Sequence, residues 1–208
     1  MEKKAVDLRV RRTKKIIIQS FISLLRKKKF EKISIQEIAD NAMINRATFY
    51  AHYSDKQALY DSLIDEFLEK FTKVLDDGTL VEGANVYVNE IEGILTRFYD
   101  FIRENPEVAQ VIIDKSQDEA FTRRFYEIIS ERYIELFEKL EVREKEVVIP
   151  IEFVISYITA ILVGTLKWWI SKNSQNMSSD DYAHLIIKLI SNGHLTVLGV
   201  NIDRLTKI

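Results

Sequence analysis

At 208 residues, with 47% hydrophobic and 30% charged side chains, the chain has the composition of an ordinary globular protein, long enough for one large domain or two small ones. It has no cysteine, which excludes disulfides, thiolate metal sites and cysteine nucleophiles and suits a reducing cytoplasm. The net charge of −2 conceals a division: residues 1–56 hold 14 Lys/Arg against 6 Asp/Glu, and residues 57–208 hold 16 against 26, so a polyanion partner is expected for the head alone.

Two prolines and six glycines predict long helices rather than a turn-rich sheet protein. The opening MEKKAVDLRVRR is charged and has no apolar stretch with a cleavage site, so no secretory signal is expected. The first predicted helix covers residues 8–28, where Ile17, Ile18, Phe21, Ile22, Leu24 and Leu25 repeat at steps of three and four. Arg9, Arg11, Arg12, Lys14 and Lys15 crowd its amino-terminal end, where the helix dipole disfavours cations; phosphate contact is the simplest reason for them.

Ser34 opens a second helix, with Glu37 three residues on as a capping box and Ile35, Ile38, Ala39 and Ala42 on one inward face. Asn45 caps a third helix over 46–53. Ser54 and Asp55 start a fourth over about 55–76, with Leu59, Leu63, Phe67, Phe71 and Val74 in register and Asp76-Asp77-Gly78 at its end. Further helices are expected over 85–104, stopped by Pro106; over 107–114; over 118–140, with Phe121, Phe125, Ile128, Ile129, Tyr133, Leu136 and Phe137 inward; over 150–172, with Pro150 at its start; and over 179–198, begun by Ser178 or Ser179 with Asp180 and Asp181 in the first turn. No repeat or strand-like alternation is visible. The expected fold is all-α, with about nine helices.

Residues 33–56, ISIQEIADNAMINRATFYAHYSDK, read as a helix-turn-helix. The brace is 35–42 and the reader 46–53, with Phe49 and Tyr53 packed inward. The candidate DNA contacts are Ser34, Asn45, Arg46, Ala47, Thr48, Tyr50, His52 and Lys56. Arg46 suits a guanine edge, and Ala47 and Thr48 suit a thymine methyl. Tyr50, His52 and Lys56 suit phosphates, and Lys56 lies at a helix start where backbone N–H groups favour an anion.

These residues resemble the TetR family of bacterial transcriptional regulators over roughly 10–65. IADNAMINRATFYAHYSDKQAL carries the likeness: the IA, the TFY-x-HY and the DK-x-x-L fall in family order and spacing. The resemblance implies a helix-turn-helix DNA-binding domain (1–56), a C-terminal ligand-binding and dimerisation domain (57–208), a homodimer on a palindromic operator, and control by a small-molecule effector. Met43 stands where the family often has Gly, so either the turn differs or its cost is absorbed; Asn45 replaces a Ser or Thr cap, and Lys29 stands where a Gly commonly ends the first helix.

In the remainder, Phe153–Leu166 is uncharged but falls short of the roughly 20 residues of a membrane helix. A helix apolar all round is expected to be buried on several sides. Gly164, Trp168 and Trp169 resemble a TetR subgroup, some of whose members regulate small-carbon metabolism and one of which is a coactivator of a dihydroxyacetone kinase operon. That resemblance implies a four-helix dimer interface with Gly164, Trp168, Leu185, Ile186, Leu189 and Ile190. Candidate effector-pocket walls are Phe67, Phe71, Phe98, Tyr99, Ile102, Phe125, Tyr126, Ile129, Tyr133, Phe153 and Tyr157, against the plainer reading that they form core. Arg97, Arg103 and Arg123 suit an anionic ligand or pair with carboxylates on their own helices.

No Gly-rich phosphate loop, H-E-x-x-H or nucleophile–base pairing can be named, so no catalytic residue, metal or cofactor is expected. Asp180 and His184 share a helix face, but two mixed ligands do not make a metal site. The expected function is a dimeric repressor released by an effector. The alternative is a TetR-like coactivator whose C-terminal domain binds a protein partner.

Overall fold

A computed structural model describes residues 2–76, 81–82, 85–113, 118–139, 149–172 and 177–192. Among them lie nine α-helices: α1 (Glu2–Leu25), α2 (Ile35–Asn41), α3 (Arg46–Tyr50), α4 (Lys56–Asp76), α5 (Val88–Glu104), α6 (Pro106–Ile113), α7 (Asp118–Lys139), α8 (Ile151–Lys172) and α9 (Ser179–Asn192). A 3-10 turn, Phe30–Lys32, separates α1 from α2. The all-α expectation holds with one addition: Val81–Glu82 (β1) pairs antiparallel with Asn85–Val86 (β2). Two residues per strand are too few for alternation to register. Asp77, Gly78, Leu140 and residues 193–198, expected at helix ends, lie outside the described residues.

Local chemistry sets the boundaries. Pro106 is the first residue of α6, where a missing N–H costs nothing. Pro150 precedes α8, and its carbonyl accepts from Phe153 at 3.0 Å and Val154 at 3.2 Å. Ser178 is the cap of α9: its hydroxyl accepts from the Asp181 amide at 3.0 Å.

Two compact units form. The first comprises residues 1–69 with 107–121, and the second residues 70–106 with 122–208. Ile17, Phe21, Phe30, Ile38, Phe49, Leu59 and Tyr60 make the first core. Phe21, Phe30 and Tyr60 meet edge-on or tilted, with centroids 5.5–6.4 Å apart. α6 belongs to this unit. Its Ile112 carbonyl accepts from the Tyr60 hydroxyl at 3.4 Å, and Glu107 pairs with Arg26.

In the second unit α5 packs along α9. Tyr99 sits edge-on to Tyr182 at 4.6 Å and to Trp169 at 5.1 Å, and Trp169 stacks on Tyr182 at 5.0 Å. Glu92 meets His184 at 2.9 Å on the rim of this contact. By length and composition Ile151–Ser171 is able to cross a membrane. Its Ile155, Ile158, Leu162, Leu166 and Trp169 are buried in the unit, and its opposite side is exposed.

Candidate nucleic-acid interface

The brace helix begins as its sequence dictates. The Ser34 hydroxyl accepts the Glu37 amide at 3.2 Å, and the Glu37 carboxylate accepts the Ser34 amide at 3.0 Å. Ser34 is thus engaged in the cap. Lys28 pairs with the same carboxylate and, with Ser34, holds its pKa down at about 2, against an ordinary 4.5.

The end of α2 is a Schellman turn. The Met43 amide donates to the Asp40 carbonyl at 3.1 Å and the Ile44 amide to Ala39 at 3.0 Å. Met43 takes a left-handed φ of 54° and is 94% exposed. The turn is therefore left-handed at this position, and a β-carbon stands where glycine would be free of cost.

Asn45 caps the reading helix: its Oδ1 accepts from the Thr48 amide at 2.7 Å and the Thr48 hydroxyl at 2.9 Å. α3 is shorter than the expected 46–53. The chain turns after Tyr50, with the His52 and Tyr53 amides both donating to Phe49, to reach the next cap at Asp55. Phe49 and Tyr53 are buried with rings 5.9 Å apart, so this helix is anchored by one face. The other face presents Arg46, Ala47 and Tyr50, with no carboxylate in the helix. Arg46 Nη2 donates to the Tyr50 hydroxyl at 3.0 Å, and its guanidinium lies 5.7 Å from that ring. The guanidinium is held in place with other N–H groups left over.

His52 is half-buried. Burial, then the nearby Lys14 charge, pushes its pKa below the ordinary imidazole value. Lys56 departs from expectation. Its ammonium donates to the carbonyls of Phe30 at 2.6 Å and Ile33 at 2.7 Å, and lies over the Phe30 ring at 4.4 Å. The amide end of α4 is taken as well, because Asp55 Oδ1 accepts from Ala58 at 2.7 Å. Without DNA, Lys56 thus braces the 30–33 segment against the start of α4, and the Asp55 carboxylate stands beside it.

Arg9, Val10 and Thr13 of α1 and Met43, Asn45, Thr48 and His52 line an open groove of about 410 Å³ beside α3. It holds a cation and no carboxylate. Met43 and Val10, which line this groove, were not among the candidate contacts. Arg9, Arg11, Arg12, Lys14 and Lys15 are all exposed, as a phosphate role requires.

The sites expected in the remainder are only partly assembled. Phe71 packs on Phe98 at 4.5 Å and Phe125 at 5.0 Å, and Tyr99, Ile102 and Ile129 are buried alongside as core. Tyr126 and Tyr133 are half-buried. Phe67 packs on Phe121 in the first unit. Phe153 and Tyr157 are 61% and 47% exposed, so they line no interior pocket. They fall instead on the α8 stripe that carries Gly164 and the 43% exposed Trp168. A β-carbon built on Gly164 meets nothing within 4 Å. Leu185, Leu189 and Ile190 are half-buried. Ile186, expected at the interface, is core, because it follows Tyr182 by one helical turn on the face of α9 that meets α5. Arg97, Arg103 and Arg123 are exposed.

Two family models match the chain. One, described as bacterial regulatory proteins of the tetR family, covers residues 17–63; the other, a transcriptional regulator C-terminal region, covers residues 89–192. The HTH-type regulator YxbF of Bacillus subtilis is 30% identical over 87 residues, which is 41% of this chain and 22% of that protein. EthR of Mycolicibacterium smegmatis is 26% identical over 59% of this chain and 56% of its own length. The chain therefore spans about a fifth to three-fifths of the curated relatives it matches. A TetR-family regulator from Syntrophomonas wolfei superposes with a TM-score of 0.68 at 16% identity, covering 94% of this chain and 99% of that one. FadR of Bacillus subtilis, solved with stearoyl-CoA, gives 0.64 at 13% identity over 86% of this chain and 98% of that one. At such identities the superpositions establish the fold alone.

Proposed function

The chain belongs to the tetR family of bacterial regulatory proteins, and from that premise we propose that it is a dimeric, cytoplasmic, sequence-specific repressor that leaves its operator when a small molecule binds its C-terminal half. In this reading residues 1–56 contact DNA and residues 57–208 pair two copies and receive the effector.

One observation carries the DNA reading: a short helix anchored by Phe49 and Tyr53 offers Arg46, Ala47 and Tyr50 outward with no carboxylate among them. The exposed basic end of α1 supplies the sequence-blind attraction that every duplex exerts. Pairing rests on α8, where Phe153, Tyr157, Gly164 and Trp168 form an exposed apolar stripe of the kind a homodimer covers. The effector rests on family resemblance. It must bind the DNA-incompetent conformation more tightly, since equal affinity shifts no equilibrium.

Sedimentation and fluorescence anisotropy on the purified chain test this together. The expected result is a dimer that binds random duplex at low ionic strength, with affinity falling steeply as salt rises. A strict monomer that ignores duplex DNA at low salt ends the reading.

A further inference from the structure

Met43 occupies the most expensive place in the reading head for a side chain that touches so little. Its φ of 54° puts a β-carbon where L residues are disfavoured. Burial usually compensates for such strain, yet 94% of this residue is exposed. Nothing in the folding of the isolated unit rewards a methionine there over a glycine.

The surroundings say where the reward lies. Met43 borders the groove that also holds Asn45 and Thr48 of the reading-helix start, His52, and Arg9 of α1, with no carboxylate in its lining. A surface of that charge fits duplex DNA. The thioether is apolar, polarisable and flexible. The apolar group that base edges offer in the major groove is the thymine methyl.

We infer that Met43 is a specificity-determining DNA contact that packs its thioether on a thymine methyl in each half-site. The inference rests on the DNA-reading role of α3 and adds to it a residue from the turn before that helix. Because the contact is apolar, it changes base preference and leaves the salt dependence of binding alone.

The test uses the full-length protein and the duplex it selects from a random pool. Deoxyuridine replaces each thymidine of that duplex in turn, which removes one methyl at a time. At one position per half-site, wild type loses about fourfold in affinity, the worth of one buried methyl group. Met43→Gly and Met43→Ala bind the thymidine duplex more weakly and no longer distinguish deoxyuridine from thymidine there. Met43→Gly also melts about 2–4 °C higher, because the strained position is relieved, so weaker binding cannot be ascribed to unfolding. Met43→Ala retains a β-carbon in the left-handed turn and separates loss of the thioether from loosening of the backbone. If either variant keeps the wild-type response to every deoxyuridine, the inference is overturned while the DNA-reading role of α3 stands. If wild type selects no duplex at all, both fall.

Discussion

Arg46 and Lys56 are both cations of the reading head, and their surroundings divide their work. The Arg46 guanidinium is steadied by Tyr50 and keeps N–H groups facing outward. Arg46→Ala is therefore expected to cost about 1–3 kcal/mol at one base position and little at the others; a binding screen over single-base operator variants reads this directly. The Lys56 ammonium ties the 30–33 segment to the start of α4. Lys56→Met removes the donor from those carbonyls, at a cost of about 1–3 kcal/mol of folding stability by denaturant titration. The salt dependence of DNA binding should be unchanged, which separates a brace from a phosphate contact. The type of these residues was legible in the sequence, but the direction of Lys56 was not. That direction depends on where the 30–33 carbonyls lie, and helical periodicity carries no information about a turn 23–26 residues away.

At the scale of elements, caps and periodic stripes were the legible features. The Ser34–Glu37 box, the Asn45 cap and the inward Phe49 and Tyr53 all stand where spacing placed them. The box has a pH signature. Glu37 is held at about 2 in the folded chain against 4.5, so its contribution is full above pH 4.5 and is lost as the pH falls towards 2. Glu37→Gln should lower Tm more at neutral pH than at about pH 2.5, where most of the contribution has gone; an equal loss at both would mean that the carboxylate charge contributes nothing. Less legible was what each stripe packs against. The pattern in α8 made nearly every residue apolar, so sequence did not separate the Ile155–Leu162 side, which is buried, from the Phe153–Tyr157 side, which is exposed. Nor did sequence associate α6 with the first unit, because a stripe reports that a face is covered and not by what.

At the scale of the molecule, the proposed pairing of two copies rests on the α8 stripe. Gly164 interrupts a helix at a cost of about 1 kcal/mol relative to alanine, and no neighbour in its own unit needs the space. Gly164→Leu raises helix propensity and blocks close approach of a second α8. The expected outcome is a chain that folds at least as well by circular dichroism but sediments as a monomer, with operator affinity reduced along with pairing. A variant that remains dimeric would move the interface elsewhere.

Pairing through that stripe, as proposed, would make each copy answerable for its neighbour. On the proposed pairing, a chain weakened at one base by Arg46→Ala still carries an intact α8, so in a cell it would join unaltered copies and leave each mixed pair with one head that discriminates less well. Added in excess, the variant would lower the resident protein's occupancy of its site, and it would lose that power once Gly164→Leu were built into it.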